Sequence, residues 1–385
     1  MKKILFLGHS GLAGGAEFML ETTLRFLDRE RFSPTVFFGT DGPMVARAGM
    51  TAEVVPFSWW MLYTPSFWEW KNRLRIPLRV WRLVNFIRRE KIDLVYTNTA
   101  CIFEGALAAR LAGVPHVTHV HEILREEHMR PRWFSLGWMT RFLYRNSRRV
   151  IFGSDAAAEV ARRWIPAKMQ AEFEAKTRVV FNSSRFSAAE REDFDREKAR
   201  REWGISPEKT VFLWIGRFSP RKNPKMLVEA VAKMWYSGRA EILLVGEGSL
   251  EKDVREMIAE KGLENVCRVL PFQDDIRPLL AAGDVMTLTS TEELFGLVLV
   301  EAGIFGLPLI ATRTEGPTHI IENEKTGYLV NVGDVSSLAE KMDAMIENPG
   351  LRKEMGAKMR LRVQEFFDPA KNTRKIEAIL MEILD

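Results

Sequence analysis

The sequence predicts an α/β protein built from two doubly wound parallel sheets. Three observations carry that expectation. Short apolar runs alternate with amphipathic stretches along the whole chain, the pattern of parallel strands joined by crossover helices. The chain has 385 residues, more than one core usually holds. A charged stretch, Glu190–Lys198, breaks the alternation near the middle. The expected domains are therefore residues 1–185 and 186–367.

In the first domain the strands are expected at Lys3–Gly8, Thr35–Gly39, Leu94–Thr97, His116–Val120 and Val150–Phe152. Ala16–Leu27, Leu78–Glu90 and Glu104–Ala112 have the apolar spacing of helices, and Val179–Phe181 begins to close the unit. In the second, Val211–Ile215, Glu241–Val245, Cys267–Leu270, Val285–Leu288, Leu309–Ala311 and Tyr328–Val330 read as strands. Helical patterns lie at Lys225–Trp235, Leu250–Lys261 and Val335–Ile346, and a last one at Asp368–Leu384. Leu297–Phe305 would serve equally as a buried strand. It is assigned as a helix because two parallel strands need a crossover between them, and Gly306 suits its C-terminal end. Two such series imply two Rossmann-like halves facing across a cleft, with ligands at the carboxyl ends of the strands.

Composition narrows the class. Hydrophobic residues make up 46% and charged residues 28%, which fits a globular core and excludes a disordered chain. Two cysteines, Cys101 and Cys267, far apart, argue against a disulfide framework and fit a reducing compartment. The apolar run after Lys2-Lys3 ends after four residues, too short for a signal-peptide core. Leu294–Ala311 is apolar and long, but Glu301 and Pro308 interrupt it, so a buried strand-and-helix unit is expected rather than a membrane span. Residues 1–185 carry a net charge of +11 and residues 186–385 one of −6. The first half is thus expected to meet an anionic surface or acceptor.

Seven residues separate Glu293 from Glu301, with Phe295-Gly296-Leu297-Val298 between them. A Gly-containing turn entering a helix there would aim free N–H groups at an anion, and the flanking carboxylates could accept hydrogen bonds from sugar or ribose hydroxyls. This pattern resembles the E-x(7)-E motif of retaining glycosyltransferases of the GT-B fold (group 1, family 4-like). The usual form reads E-G-F-G-L-x-x-x-E-A-x-x-x-G-x-P; here Leu294 replaces the small residue after the first Glu, and Ala302, Gly306 and Pro308 complete the pattern. A second stretch, Gly216-Arg217-Phe218-Ser219-Pro220-Arg221-Lys222-Asn223, looks like the family's G-R-x-x-x-x-K-N. Two cations after a strand can stabilise the charge that develops on a departing diphosphate.

The resemblance implies a nucleoside diphosphate sugar donor, no required cofactor and no metal. It implies that Arg217 and Lys222 contact the diphosphate, that Glu301 accepts from the ribose hydroxyls and that Glu293 reads a sugar hydroxyl. The amides of Gly296, Leu297 and Val298, beside Phe295, would hold the distal phosphate and sugar. Gly246 and Glu247 match the family's G-x-G turn, and Phe272 falls in the region that holds the base. Thr314–Ile321 is similar to the family's G-G-x-x-E-x-I, with His319 in place of Glu and Glu315 in place of Gly. The closing helix, residues 368–385, would pack back on the first domain.

In the first half, Gly8–Glu17 has the wrong spacing for a dinucleotide fingerprint. It resembles the family's Gly-rich first loop, so Gly14 and Gly15 would face the donor phosphates and acceptor. His116, His119 and His121 crowd one strand. Zinc is conceivable, but no nearby Cys and no helical H-E-x-x-H accompany them. The resemblance instead maps His121-Glu122 onto the family's cleft His-Asp/Glu, giving His121 a role near the forming bond. Between Trp59 and Arg89, the aromatic side chains of Trp59, Trp60, Phe67, Trp68, Trp70 and Trp81 interleave with Lys71, Arg73, Arg75, Arg79, Arg82, Arg88 and Arg89. A second such stretch spans Arg130–Arg149. These suit an anionic membrane interface; a packed helix with a solvated basic face is the alternative, and nucleic acid is not an expected partner. The acceptor is accordingly expected to be a glycan or a lipid-linked molecule. The location is expected to be cytoplasmic, on the inner face of the membrane. A non-catalytic sugar-nucleotide-binding subunit is the rival reading, kept by the departures at Asn182-Ser183-Ser184 and His319.

Overall fold

The structure, a computed structural model, describes residues 1–12, 14–48, 52–55, 74–122, 124 and 135–385. Trp59, Trp60, Phe67, Trp68, Trp70, Lys71, Arg73 and Arg130 lie outside the described residues. The chain divides into two compact units, Met1–Arg185 with Pro369–Asp385, and Phe186–Asp368.

The first unit holds β1 (Lys2–Gly8), β2 (Phe32–Phe38), β3 (Ala52–Val54), β4 (Leu94–Thr97), β5 (His116–Val120), β6 (Arg149–Phe152) and β7 (Thr177–Val179). Their order is β3-β2-β1-β4-β5-β6-β7, every pair parallel. The chain winds outward from β1 and then returns to its other side. The order therefore reverses between β1 and β4. Alternation along β1 explains its unbroken apolar sequence. Ile4 and Phe6 pack with Leu20 and Leu24 on one face, while Leu5 and Leu7 meet Val80, Leu83 and Ile87 on the other. The helix Pro369–Leu384 belongs to the first face through Ile376, Ile379 and Leu380. Asn372 Nδ2 donates to the Phe181 carbonyl at 3.0 Å, and the Asp28 amide donates to Glu377 Oε1 at 2.6 Å.

The second unit holds β8 (Thr210–Ile215), β9 (Ala240–Val245), β10 (Cys267–Leu270), β11 (Val285–Leu288), β12 (Leu309–Thr312) and β13 (Gly327–Val330). Their order is β10-β9-β8-β11-β12-β13, again all parallel. Here the reversal falls between β8 and β11. In an open parallel sheet the strand ends at such a reversal diverge and leave a crevice for ligands.

Leu297–Ile304 is a helix, the crossover from β11 to β12, and Gly306 follows it at φ +74°. An 18-residue helix, Pro349–Phe366, was not expected. Its buried face is only Met355, Gly356, Met359 and Val363, too narrow and too poor in branched residues to read as a periodic stripe. It lies against the crossover helix at glycines. A Cβ on Gly356 would stand 1.9 Å from the Gly306 carbonyl oxygen, and one on Gly303 would stand 2.6 Å from Val363. Two shorter helices, Leu136–Asn146 and Asp155–Arg162, were likewise not expected.

Gly356→Ala is expected to force these helices apart and cost about 1–3 kcal/mol, seen as a lower thermal midpoint of the second unit. Gly350→Ala, in the same helix with no atom within 4 Å of the new Cβ, is expected to be neutral or stabilising by up to about 1 kcal/mol. Equal midpoints for the two variants would contradict this packing account.

Candidate functional site

The loops after β8 and β11 meet at the reversal point of the second sheet. Lys222 Nζ and the Glu293 carboxylate form an ion pair, with side chains 16% and 9% exposed. Ser290 Oγ donates to the same Glu293 oxygen at 3.2 Å. Two hydrogen bonds stitch the loops: the Thr291 amide donates to the Arg221 carbonyl at 2.8 Å, and the Arg221 side chain donates from Nη1 to the Glu292 carbonyl at 3.2 Å. Below them, the buried Trp214 indole N–H donates to Thr289 Oγ1 at 3.0 Å. Thr289 in turn donates to the Asn223 carbonyl at 2.8 Å. Asn223 sits at φ +45° and starts the helix Pro224–Lys233.

Two further loops join this pair. The Phe218 amide donates to the Glu247 carbonyl at 2.8 Å, and a Cβ on Gly246 would stand 2.0 Å from the Gly216 oxygen. The β9 turn thus needs glycine to lie against the β8 loop. The Gly316 amide donates to the Glu293 carbonyl at 2.8 Å, and a Cβ there would stand 2.4 Å from the Phe295 oxygen. Gly296, at φ +90°, opens the helix Leu297–Ile304 without a side-chain cap. The first amides of that helix therefore present a partial positive charge.

The structure thus brings Lys222, Gly246, Glu247, Glu293, Phe295 and Gly296 into one bonded cluster, with Leu297 and Val298 half-buried on the next turn. Glu301 is buried in the second turn of the same helix. Arg217 and Phe272 are exposed after β8 and β10, the strands on either side of β9. His319 lies in the short helix Glu315–Ile320, its carbonyl accepting from Arg362 Nη2 at 2.7 Å. The parts that sequence reading missed are Thr289, Ser290 and Trp214, uncharged residues that brace the charged ones.

In the first unit the strand ends at the β1/β4 reversal carry a second network. His121 Nε2 lies 3.0 Å from Asn98 Oδ1, and Nδ1 lies 3.1 Å from Asn182 Oδ1. A neutral ring can donate to only one of two carbonyl oxygens. Asn98 is fixed, because its Nδ2 donates to the Ala16 carbonyl at 2.8 Å. Nε2 therefore carries the proton. Nδ1 is left to accept, which a half-turn of the Asn182 amide group satisfies. Glu122 accepts from Thr99 Oγ1, from the Ala100 amide at 3.1 Å and from the Cys101 thiol at 3.1 Å. Burial pushes that thiol well up, so it stays protonated. Burial also pushes the Glu122 carboxyl up, but His9, His121 and its donors outweigh this and leave it below the ordinary range. Asn98 and Thr99 follow β4 directly; the strand order, not a motif, marks them.

The Gly-rich loop packs on the turn after β2, where a Cβ on Gly11 would stand 2.5 Å from the Thr40 carbonyl. Gly14 and Gly15 open the helix Gly15–Phe26 without a side-chain cap. Beside them, His9 Nε2 lies 3.2 Å from the buried Glu17 carboxylate. The other two histidines bond hydroxyls: His119 Nδ1 with Tyr96 at 2.6 Å, His116 with Thr97 at 2.8 Å and Ser147 at 3.0 Å. Among the described residues no three His, Cys, Asp or Glu side chains gather as a metal site.

Burial pulls the His116 imidazole down to about 3 and His121 to about 4, and holds His119 well below its ordinary value. Unfolded, each takes up a proton near 6.5. Between about 6.5 and about 4 the unfolded chain binds more protons, so stability falls as pH falls. Each histidine contributes about 1.4 kcal/mol per pH unit in that window. Glu17, whose carboxyl burial raises, opposes this by at most one proton. The urea midpoint of the first unit is expected to drop between pH 7 and pH 5; a midpoint that holds or rises would contradict the buried neutral histidines.

Residues 195–362 match the family described as Glycosyl transferases group 1, and residues 13–172 match Glycosyltransferase Family 4. The chain is similar to N-acetyl-alpha-D-glucosaminyl L-malate synthase of Bacillus anthracis, 34% identical over 49% of this chain and 50% of the relative. It is also similar to the UDP-Gal:alpha-D-GlcNAc-diphosphoundecaprenol alpha-1,3-galactosyltransferase of Escherichia coli, 25% identical over 78% of each. The matched stretch spans about half or less of the length of the first curated relatives. Among solved structures, Anabaena Alr3699/HepE in complex with UDP has a TM-score of 0.80 at 27% identity, covering 99% of this chain and 100% of that one. The same protein is solved with UDP-glucose. Since the two family matches together take in most of the chain, and the doubly wound sheets agree with that likeness, the chain belongs to the group 1 glycosyltransferases of the GT-B fold.

Proposed function

We propose that the chain is a retaining glycosyltransferase acting in cell-surface polysaccharide or glycolipid synthesis. It takes a hexose-type sugar from a nucleoside diphosphate donor held in the second unit and passes it to a hydroxyl of a glycan or lipid-linked acceptor, without a resident metal. The carrying observation is the Lys222–Glu293 pair beside the uncapped helix start at Gly296, at the reversal point of a parallel sheet. The UDP and UDP-glucose complexes of the Anabaena protein support a UDP-sugar as the first donor to test. The lipid-linked diphosphate named for the Escherichia coli relative supports the acceptor class.

As the bond from the sugar carbon to the diphosphate breaks, negative charge gathers on the departing oxygen. Lys222, Arg217 and the amides of Gly296, Leu297 and Val298 stabilise that charge in place, without reorganising. Glu293 holds Lys222 before the donor arrives and shares it with a sugar hydroxyl afterwards. Glu301 reads the ribose, Phe272 packs on the base, and Gly246 and Glu247 line the pocket. In the first unit Gly14 and Gly15 leave room for phosphate and acceptor. His121, neutral and held by Asn98 and Asn182, orients a sugar hydroxyl by exchanging one amide partner for it.

The test is transfer or donor hydrolysis with UDP-hexoses. Lys222→Ala and Glu301→Ala are expected to lower kcat/KM strongly, Lys222→Ala by about 100-fold or more, with circular dichroism unchanged. Wild-type turnover in both variants would overturn the assignment. UDP that raises the thermal midpoint while no sugar is transferred or hydrolysed would instead make the chain a binding subunit.

Membrane contact is the second part of the reading. On the helix Ile76–Glu90, Leu78 and Trp81 are exposed, continuing from exposed Leu74. Spacing of four and three puts them on one face, flanked by exposed Arg75, Arg82, Arg88 and Arg89. Arg79 is not on that face; it is buried against Glu104 at 3.3 Å. No helix among the described residues is long and apolar enough to cross a membrane, so the proposed contact is interfacial, on the inner face of the cytoplasmic membrane. The full chain is expected to sediment with anionic vesicles at low salt and to release at high salt; no sedimentation at low salt would refute it.

A further inference from the structure

A cavity of about 580 Å³ opens at the other end of the first sheet. Its walls are the turns before β5 and β6 and the last turns of the helices Glu104–Ala112 and Leu136–Asn146. The networks around His121 and the Gly-rich loop occupy the carboxyl ends of the strands. This cavity sits at the amino ends, one strand length away.

Five cationic side chains line it, Arg110, Arg145, Arg148, Arg149 and Lys176, and among the described residues no Asp or Glu does. Ser147 adds a hydroxyl, bonded to His116 and Thr118. The carboxylates nearby are already committed: Glu382 pairs with Arg149 and Arg178, and Glu172 with Lys176 at 2.8 Å. Arg145 and Arg148 are exposed and make no ion pair among the described residues. The Arg149 Nε atom is buried without a hydrogen-bond partner.

Helix dipoles account for part of this. Cations are favoured at helix C-termini, which explains Arg110 and Arg145. That argument does not reach Arg148 and Arg149, which belong to a turn and a strand start. Like charges gathered round one cavity repel, and an orphaned buried guanidinium N–H lacks its acceptor. A ligand with several anionic oxygens relieves the repulsion.

We propose that this cavity binds a phosphate-bearing anion, either a free diphosphate compound or the headgroup of an anionic lipid. The site is separate from the donor site in the second unit, and its existence does not depend on the transferase reading.

The probe is inorganic pyrophosphate, titrated calorimetrically into the full chain at low salt. Three proteins are compared: wild type, Arg145→Gln/Arg148→Gln, and Lys222→Ala. Both arginines are exposed, so the double variant is expected to fold as wild type does. It is expected to keep the second unit's binding of pyrophosphate and to bind it in the first unit at least about tenfold more weakly, while Lys222→Ala retains the first unit's binding. Equal affinity in wild type and double variant, or a loss confined to Lys222→Ala, would overturn the proposal, and so would no binding at all. Vesicles of phosphatidylcholine with and without phosphatidic acid separate the two sources. A double variant that sediments less with phosphatidic acid identifies the headgroup. A double variant that loses the first unit's binding of pyrophosphate but sediments as wild type does identifies a free phosphate compound.

Discussion

Lys222 and Glu293 reach each other across the gap between β8 and β11, and much of the second unit is arranged to let them. The two strands are neighbours in the sheet but 71 residues separate the pair in sequence. Such a contact holds only if both loops are rigid. Thr289 supplies that rigidity: it accepts from the Trp214 indole and donates to the carbonyls behind Lys222. A largely buried ion pair is weak evidence of stability, because desolvation offsets attraction. Its value here is positional. An ammonium kept in place by a carboxylate need not be ordered again when an anion arrives.

Glycine sets the second constraint. Gly246 and Gly316 each lie so close to a neighbouring backbone oxygen that a Cβ has no room. These contacts draw the loops after β9 and β12 onto those after β8 and β11. Four segments far apart in sequence then share one rim, with the start of the helix Leu297–Ile304 opening onto it. The first unit uses the same winding differently. Its strand ends carry buried, neutral side chains joined by hydrogen bonds, His121 between Asn98 and Asn182 above all. One rim is built on the Lys222–Glu293 ion pair and the other on an uncharged imidazole beside the Glu122 carboxylate.

How much of this could be read beforehand follows from the kind of signal each part leaves. Glu293, Gly296 and Glu301 show in the sequence because a turn, a helix start and two carboxylates must fall at fixed spacing. Arg217 and Lys222 show because cations after a buried strand are conspicuous. Neither pattern reveals that Lys222 touches Glu293, since that contact depends on strand order. Asn98, Thr289 and Ser290 leave no signal, because single uncharged polar residues after strands are common. The helix Pro349–Phe366 escaped because methionine and glycine form its packed face. The basic cavity was visible in part: Arg145, Arg148 and Arg149 belong to the stretch Arg130–Arg149, but only the folded sheet brings Arg110 and Lys176 to them.

The central claim is that the rim between β8 and β11 holds a diphosphate. Amide hydrogen exchange, followed with and without UDP, reads this directly. The account predicts slowed exchange at the amides of Gly296, Leu297 and Val298 and in the segment 216–223. Unchanged exchange there, or protection confined to the first unit, would contradict it.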